Sequence, residues 1–308
     1  MIRLHSIASH VPAGSISNYD RREEFALTDE FITEKLGVAS VSRMRPEEDT
    51  SALCLQAFNA LQDRASVKPT DIDCLIVCTQ NPDGHGIPHT SAVVHGQIGA
   101  PERCASFDVA LGCSGYVYAL SIAKSLMEAN GLQQGLLFTA DPYSKILDPT
   151  DKNTVLLFGD AATVTLLRAD GAWTPRRFMF ATRGADGTAL NNRSGRLAMN
   201  GRAVFNFSAT EVPAQVRALL GAEGLHPEDV DLFLFHQGSR YILDALAKRL
   251  GLAAAKVPCN LADQGNTVSS SIPLLFERYI DNPGIHRVLM SGFGVGLSWA
   301  SCLVERQG

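Results

Sequence analysis

Two stretches of this chain read the same way. Pro69-Thr-Asp71-Ile-Asp73-Cys-Leu-Ile-Val-Cys78 and Pro227-Glu-Asp229-Val-Asp231-Leu-Phe-Leu-Phe235-His236 match position for position. A proline and two aspartates stand in register, and each set leads into a short apolar run. Such a run, bounded by turn signals, reads as a strand buried on both faces, as in a parallel sheet covered by helices. A glycine-bearing hairpin also ends each half, at Phe158-Gly-Asp160 and at Phe293-Gly-Val-Gly296. Internal similarity of this kind constrains the fold more than any local propensity, because both halves must bury the same kind of face. It predicts an α/β chain made of two duplicated halves, roughly residues 1–170 and 171–308, packed about a pseudo-two-fold axis. No linker-like composition lies between them, so the halves are expected to share one core.

The segments around the repeat fill in the pattern. Thr28-Asp29-Glu30-Phe31 reads as a helix start with Thr28 or Asp29 as cap. Helical periodicity runs from Thr50 to Asp63 and over Ser91–Gln97, and Leu136 to Ala140 is a second buried strand. Val155 to Leu167 reads as a hairpin about Gly159-Asp160. Hydrophobic residues make up 45% and charged residues 19% of the chain, which suits a large buried core. The net charge of -5 gives no global basic field of the kind nucleic acid requires. No apolar run approaches the ~18 residues of a membrane span, and Met1-Ile2-Arg3-Leu4-His5 does not begin a signal segment. A cytoplasmic location with no membrane or nucleic-acid partner is therefore expected. The seven cysteines (54, 74, 78, 104, 113, 259, 302) lie scattered without a Cys-x-x-Cys pair, which favours reduced thiols over a disulfide framework.

Three positions carry chemistry. The apolar run Ala105–Val109 leads into Gly112-Cys113-Ser114-Gly115 and then a helical pattern through Tyr116, Ala119, Leu120, Ala123 and Leu126. Cys113 thus stands at a helix N-terminus, where free N–H groups and the dipole favour a thiolate and are expected to lower the thiol pKa. His236 ends the second repeated strand, and Asn266 follows Gly265 in a turn before Ser269-Ser270-Ser271. Taken singly, Cys113 reads equally as a structural thiol, His236 as a hydrogen-bonded core histidine, and Asn266 as a turn residue. Together, each at the end of an element with a glycine within two residues, they form a candidate nucleophilic constellation. His85, His89 and His95 lack acidic companions and are not read as a metal site.

With these motifs the chain resembles β-ketoacyl-acyl-carrier-protein synthase III, of the thiolase-like superfamily, over essentially its whole length. The resemblance rests on Gly112–Gly115 and its helix, Asp148-Pro-Thr-Asp151, Phe158-Gly-Asp160, His236-Gln237, Gly265-Asn266-Thr267 and Gly292–Gly296. It implies a five-layered αβαβα fold and a decarboxylative condensation. Cys113 would take an acyl group from acyl-CoA, and the backbone N–H groups of Cys113 and Val295 would hold the oxyanion. His236 and Asn266 would then stabilise the enolate from malonyl-acyl-carrier protein. The resemblance implies no metal or redox cofactor, the CoA thioester being a substrate, and it implies a homodimer.

The departures from the family pattern bear on substrate. Phe31 stands where the family stacks adenine on Trp, and Lys35 and Lys152 stand for its two CoA-binding arginines. Charge survives there, but bidentate contacts do not. Tyr241 replaces the carrier-protein-docking arginine, with Arg240, Lys248 and Arg249 on the same helix as the remaining docking candidates. The stretch 187–200 is about a dozen residues shorter than in typical members, an expected widening of the entrance. Ile87, before Pro88, takes the place of the residue that caps the partner's acyl pocket, commonly Phe. An aliphatic residue there suggests a primer longer than acetyl, of medium chain. Val295 in place of the usual glycine requires a turn that spares it glycine-only angles. The alternative enzyme is a synthase III-like acyltransferase of specialised metabolism. A non-catalytic heterodimer subunit is the alternative of another class, disfavoured by the intact Cys113, His236 and Asn266.

Overall fold

The computed structural model describes residues 1–307. The first half runs β1 (Arg3–His10), β2 (Gly14–Ser17), α1 (Arg22–Phe25), β3 (Ser40–Arg43), α2 (Thr50–Arg64), β4 (Cys74–Cys78), α3 (Thr90–Ile98), β5 (Ala105–Val109), α4 (Gly115–Asn130), β6 (Gln134–Ala140), α5 (Lys152–Val155) and β7 (Ala162–Arg168). The second half continues with β8 (Trp173–Thr182), β9 (Leu190–Asn191), β10 (Ala198–Met199), α6 (Gly201–Glu223), β11 (Leu232–Phe235), α7 (Arg240–Leu250), α8 (Ser271–Phe276), β12 (Arg287–Gly294) and β13 (Ser298–Arg306). Nine strands join in the order β11-β12-β13-β8-β1-β7-β6-β4-β5.

The pairing repeats. In the first half β4 is parallel to β6, β6 antiparallel to β7, and β7 antiparallel to β1. In the second, β11 is parallel to β12, β12 antiparallel to β13, and β13 antiparallel to β8. The two sets meet at one register pair, Leu4 with Trp173. The repeated aspartates have a physical reason. Asp73 Oδ2 accepts from the backbone N–H groups of Gln133 and Gln134 at 2.9 and 3.2 Å. Asp231 Oδ2 accepts from those of His286 and Arg287, both at 2.8 Å. In each half the carboxylate satisfies the orphan donors where the neighbouring parallel strand begins.

Packing shows the layers. α2 and α3 cover one face of the first half's strands through Leu53, Phe58, Val94 and Leu136. α6 and α7 cover the outer face of the second half through Val212, Val216, Leu246 and Leu289. Between the two sets of strands lie α4 and α8, with Tyr116, Leu120, Ile272 and Phe276 packed against Ile76, Leu137, Leu234 and Met290. The sequence of layers is helices, strands, helices, strands, helices.

The hairpin expected over Val155–Leu167 does not form. Asp151 caps α5, accepting from Asn153 N at 3.0 Å and from Thr154 Oγ1 at 2.8 Å, so Lys152–Val155 turn as a helix. Only Ala162–Arg168 is a strand. The chain at Phe158 instead makes a parallel bridge with Asn266. Asn266 N donates to Leu157 O at 2.8 Å and Gly159 N to Asn266 O at 3.0 Å. Those bonds tie the two halves together beside the site.

Candidate active site

Cys113, His236 and Asn266 line one cavity of about 210 Å³. Cys113 lies just before α4, His236 follows β11, and Asn266 precedes the turn into α8, so the central layer and one strand end place all three. Each is 3% exposed or less. Asn266 Nδ2 lies 3.4 Å from His236 Nε2. Asn266 Oδ1 accepts from Val268 N at 2.9 Å, which orients the amide so that Nδ2 faces the cavity. On the other side of the imidazole, Nδ1 lies 2.7 Å from Ser271 Oγ, which itself accepts from Gln237 N at 3.4 Å. A hydroxyl that accepts there keeps its own hydrogen for Nδ1, and in that arrangement the ring hydrogen stands on Nε2. Two donors, Nε2–H and the Asn266 amide, then point at one spot, an arrangement that holds a developing oxyanion. Ser271 carried no signal beyond its place in a serine run. Burial pushes His236 down to about 3, so the ring is neutral at physiological pH.

The thiol corrects an expectation. The Cys113 pKa is raised to about 12, not lowered. Desolvation is the largest cause, and the Asp141 carboxylate adds to it. The backbone N–H groups of Val295 and Cys113 act in the opposite direction and lose. The helix end favours a thiolate, but a sulfur without water loses more than the dipole returns. The same two amides are the ones expected at an oxyanion. The strand β12 can come this close only because it carries glycine. A Cβ on Gly294 would lie 2.7 Å from Cys113 Sγ, and one on Gly292 would lie 2.7 Å from Cys113 O. Val295 avoids strain, since Gly296 takes the positive φ of 137° and Val295 takes none.

The mouth of the cavity is aromatic and cationic. Phe31, Lys35, Lys152, Phe205 and Tyr241 all line it. Lys152 Nζ lies 5.6 Å from the Phe31 ring centroid, and Lys35 Nζ 4.4 Å from that of Tyr241. Tyr241 stacks on Phe205 at 4.8 Å. The position where the sequence pattern loses a docking arginine is therefore a wall of the entrance. Neither lysine has a carboxylate partner among the described residues. The short 187–200 stretch folds into the β9–β10 pair and supplies Leu190 and Met199 to the lining.

The remaining candidates lie outside the cavity. Arg240 is exposed and pairs with both carboxylate oxygens of Asp244 at 3.0 Å. Lys248 and Arg249 are exposed at the last turn of α7, and Arg217 of α6, which the sequence did not single out, donates to Arg249 O. Ile87 is 93% exposed at a loop tip and touches none of its own chain's cavity.

A duplicated α/β sheet with cysteine, histidine and asparagine at the floor of one cavity defines a thiolase-like condensing acyltransferase. The 3-oxoacyl-[acyl-carrier-protein (ACP)] synthase III family matches residues 107–187, and its C-terminal part matches residues 220–306. The chain belongs to the β-ketoacyl-acyl-carrier-protein synthase III family. It is 35% identical to the β-ketoacyl-[acyl-carrier-protein] synthase III of Streptococcus mutans, over 98% of each chain. Among solved structures it matches a 3-oxoacyl-(acyl-carrier protein) synthase from Burkholderia xenovorans with a TM-score of 0.92 at 31% identity, covering 99% of this chain and 94% of that one. It also matches the priming β-ketosynthase of the R1128 polyketide pathway, with a TM-score of 0.89 at 26% identity over 100% of this chain and 97% of that one. No helix of the described residues is long and apolar enough to cross a membrane.

Proposed function

We propose that the protein joins an acyl-CoA primer to malonyl-acyl-carrier protein through an acyl group on Cys113, in fatty acid synthesis. The observation that carries this reading is the convergence of Cys113, His236 and Asn266 on one cavity whose mouth holds Phe31, Lys35 and Lys152. In the first half-reaction Cys113 Sγ attacks the thioester carbonyl and the C–S bond to CoA breaks. The thiol proton ends on the released CoA. Because the thiol is protonated at rest, its deprotonation accompanies attack, while the N–H groups of Cys113 and Val295 receive the oxyanion. In the second, malonyl-carrier protein loses CO2. The enolate oxygen lies between His236 Nε2–H and the Asn266 amide, and its carbon attacks the acyl group. The Cys113 thiolate leaves and takes up a proton. A carboxylate at 266 would repel the enolate, whereas a neutral amide donates to it.

Lys35 and Lys152 suit phosphates of CoA, and Phe31 suits its adenine. Arg240, Lys248 and Arg249 make α7 the docking face for an acidic carrier protein, although Asp244 already engages Arg240. A homodimer is supported by the unpaired outer edge of β5 and by the partly exposed Phe107 and Val109 on it, which pack in the same apolar cluster as Tyr118. In such a dimer Ile87 reaches the partner's acyl pocket, and its aliphatic chain leaves room for a medium-chain primer.

Intact-mass spectrometry after incubation with acyl-CoAs from acetyl to dodecanoyl, beside Cys113→Ala, tests the first half-reaction. An adduct absent from the variant supports it, and the preferred chain length names the primer. No adduct with any CoA would overturn the CoA role of Phe31, Lys35 and Lys152.

A further inference from the structure

The loop from Asn81 to His89 exposes its one large aliphatic side chain, Ile87, yet its backbone is tied down from several directions. Lys145 Nζ is the centre of these ties, donating to Pro82 O at 2.6 Å, to Asn81 O at 3.4 Å and to Asp49 Oδ1 at 2.5 Å. Thr50 Oγ1 also donates to Asn81 O, at 2.5 Å. The other oxygen of Asp49 takes Gly84 N at 2.9 Å, and Asp83 Oδ1 takes Ser51 N at 2.7 Å. An exposed apolar tip on a loop ordered in advance is what an anchor at an interface needs, because little ordering cost is left to meet on binding.

Lys145 also sits where the Ile87 loop and the 187–200 stretch meet. It closes the turn Tyr143–Lys145. Tyr143 OH donates to Gln80 Oε1 at 2.9 Å, at the root of the Ile87 loop. Immediately after it, Ile146 O accepts from Leu197 N and Leu147 O from Arg196 Nη1, both in the shortened stretch. Leu147 packs in the same apolar cluster as Cys113. One turn therefore holds the Ile87 loop on one side and the entrance strands on the other, against the apolar wall beside the nucleophile.

We propose that Lys145 is a positioning residue for primer length. It clamps the Asn81–His89 loop so that Ile87 enters the acyl pocket of a second copy at one fixed depth. This rests on the reading of Ile87 given above. An ammonium with three donors and three acceptors in place is suited to the role, and Lys145→Met keeps the stem while removing every bond.

The test compares the unsubstituted protein, Lys145→Met, Lys145→Arg and Ile87→Phe by amide hydrogen exchange and by Cys113 acylation across the acyl-CoA series. Lys145→Met should accelerate exchange at Gly84 and Gly86 by about tenfold or more, since a lost charge-assisted bond is worth that much. It should also flatten the chain-length preference, while acylation itself persists. Lys145→Arg should restore much of both. Faster exchange with an unchanged preference overturns the proposal, and so does unchanged exchange. If Ile87→Phe leaves the preference untouched as well, the reading of Ile87 fails rather than the clamp. Should Lys145→Met fail to fold, Lys145→Gln gives the same comparison, because it removes the charge and shortens the reach while leaving Asp49 to take Gly84 N.

Discussion

The floor and the mouth of this cavity are built by opposite means. At the floor Cys113, His236 and Asn266 are buried, neutral at rest, and oriented by hydrogen bonds from the main chain and from Ser271. At the mouth Lys35 and Lys152 are exposed and steadied only by aromatic faces. A dry site with fixed dipoles gains much from each donor and loses much when one is misplaced. A wet site with mobile cations gains little from any single one, because water and salt screen it. Changes at the floor should therefore cost orders of magnitude in rate, and changes at the mouth should mostly alter substrate affinity.

The largest effect is expected for Cys113→Ala, which should lower condensation at least about a thousandfold, as loss of a covalent nucleophile does. Radiolabelled malonyl incorporation measures it. Asn266→Asp sharpens the contrast within the floor. It should slow decarboxylation about a hundredfold, the usual effect of losing one oxyanion donor, while the mass adduct on Cys113 still forms. An equal loss in both half-reactions would show that the amide does more than stabilise the enolate.

His236 gives a test by pH. Its native pKa is pushed down to about 3 by burial. The unfolded chain takes up that proton near 6.5, so between these values the unfolded state binds more protons and stability falls as pH falls. His236→Gln should remove that component, about 1.4 kcal/mol per pH unit, from urea midpoints measured below roughly pH 6. A variant as acid-sensitive as the native protein would mean that the ring is charged in the fold, contradicting the neutral donor proposed for it. The smallest effect is expected at the mouth. Lys152→Ala should raise KM for the acyl-CoA by up to about tenfold with little change in kcat, and added salt should shrink the difference. A loss in kcat comparable to that of Asn266→Asp would break the comparison between the two regions.

Much of this was legible in the chain. The repeat of proline, two aspartates and an apolar run marks the same job done twice, since Asp73 and Asp231 each satisfy the start of a neighbouring strand. The three floor residues stand out because each lies at the end of an element with a glycine within two residues. The hairpin expected at 155–167 failed because Asp151 offers a helix cap that apolar alternation does not register, and because Phe158 finds its partner across the molecule at Asn266. The mouth was visible only as single substitutions. Nothing local shows that Tyr241 stacks on Phe205 or that Lys35 lies over it.

By itself the sequence determined the duplicated α/β plan and set Cys113, His236 and Asn266 at the ends of elements, because periodicity and turn chemistry are written in neighbouring residues. The tertiary structure decided the rest. The direction of the Cys113 shift depends on how completely the surrounding layers exclude water, which no helix-terminus pattern states. The proton on His236 depends on Ser271, brought up by a different element of the second half. The hold of Lys145 on the Ile87 loop depends on acceptors from two separate segments. Desolvation and long-range hydrogen bonds are properties of the packed whole, so they exist only once the chain has folded.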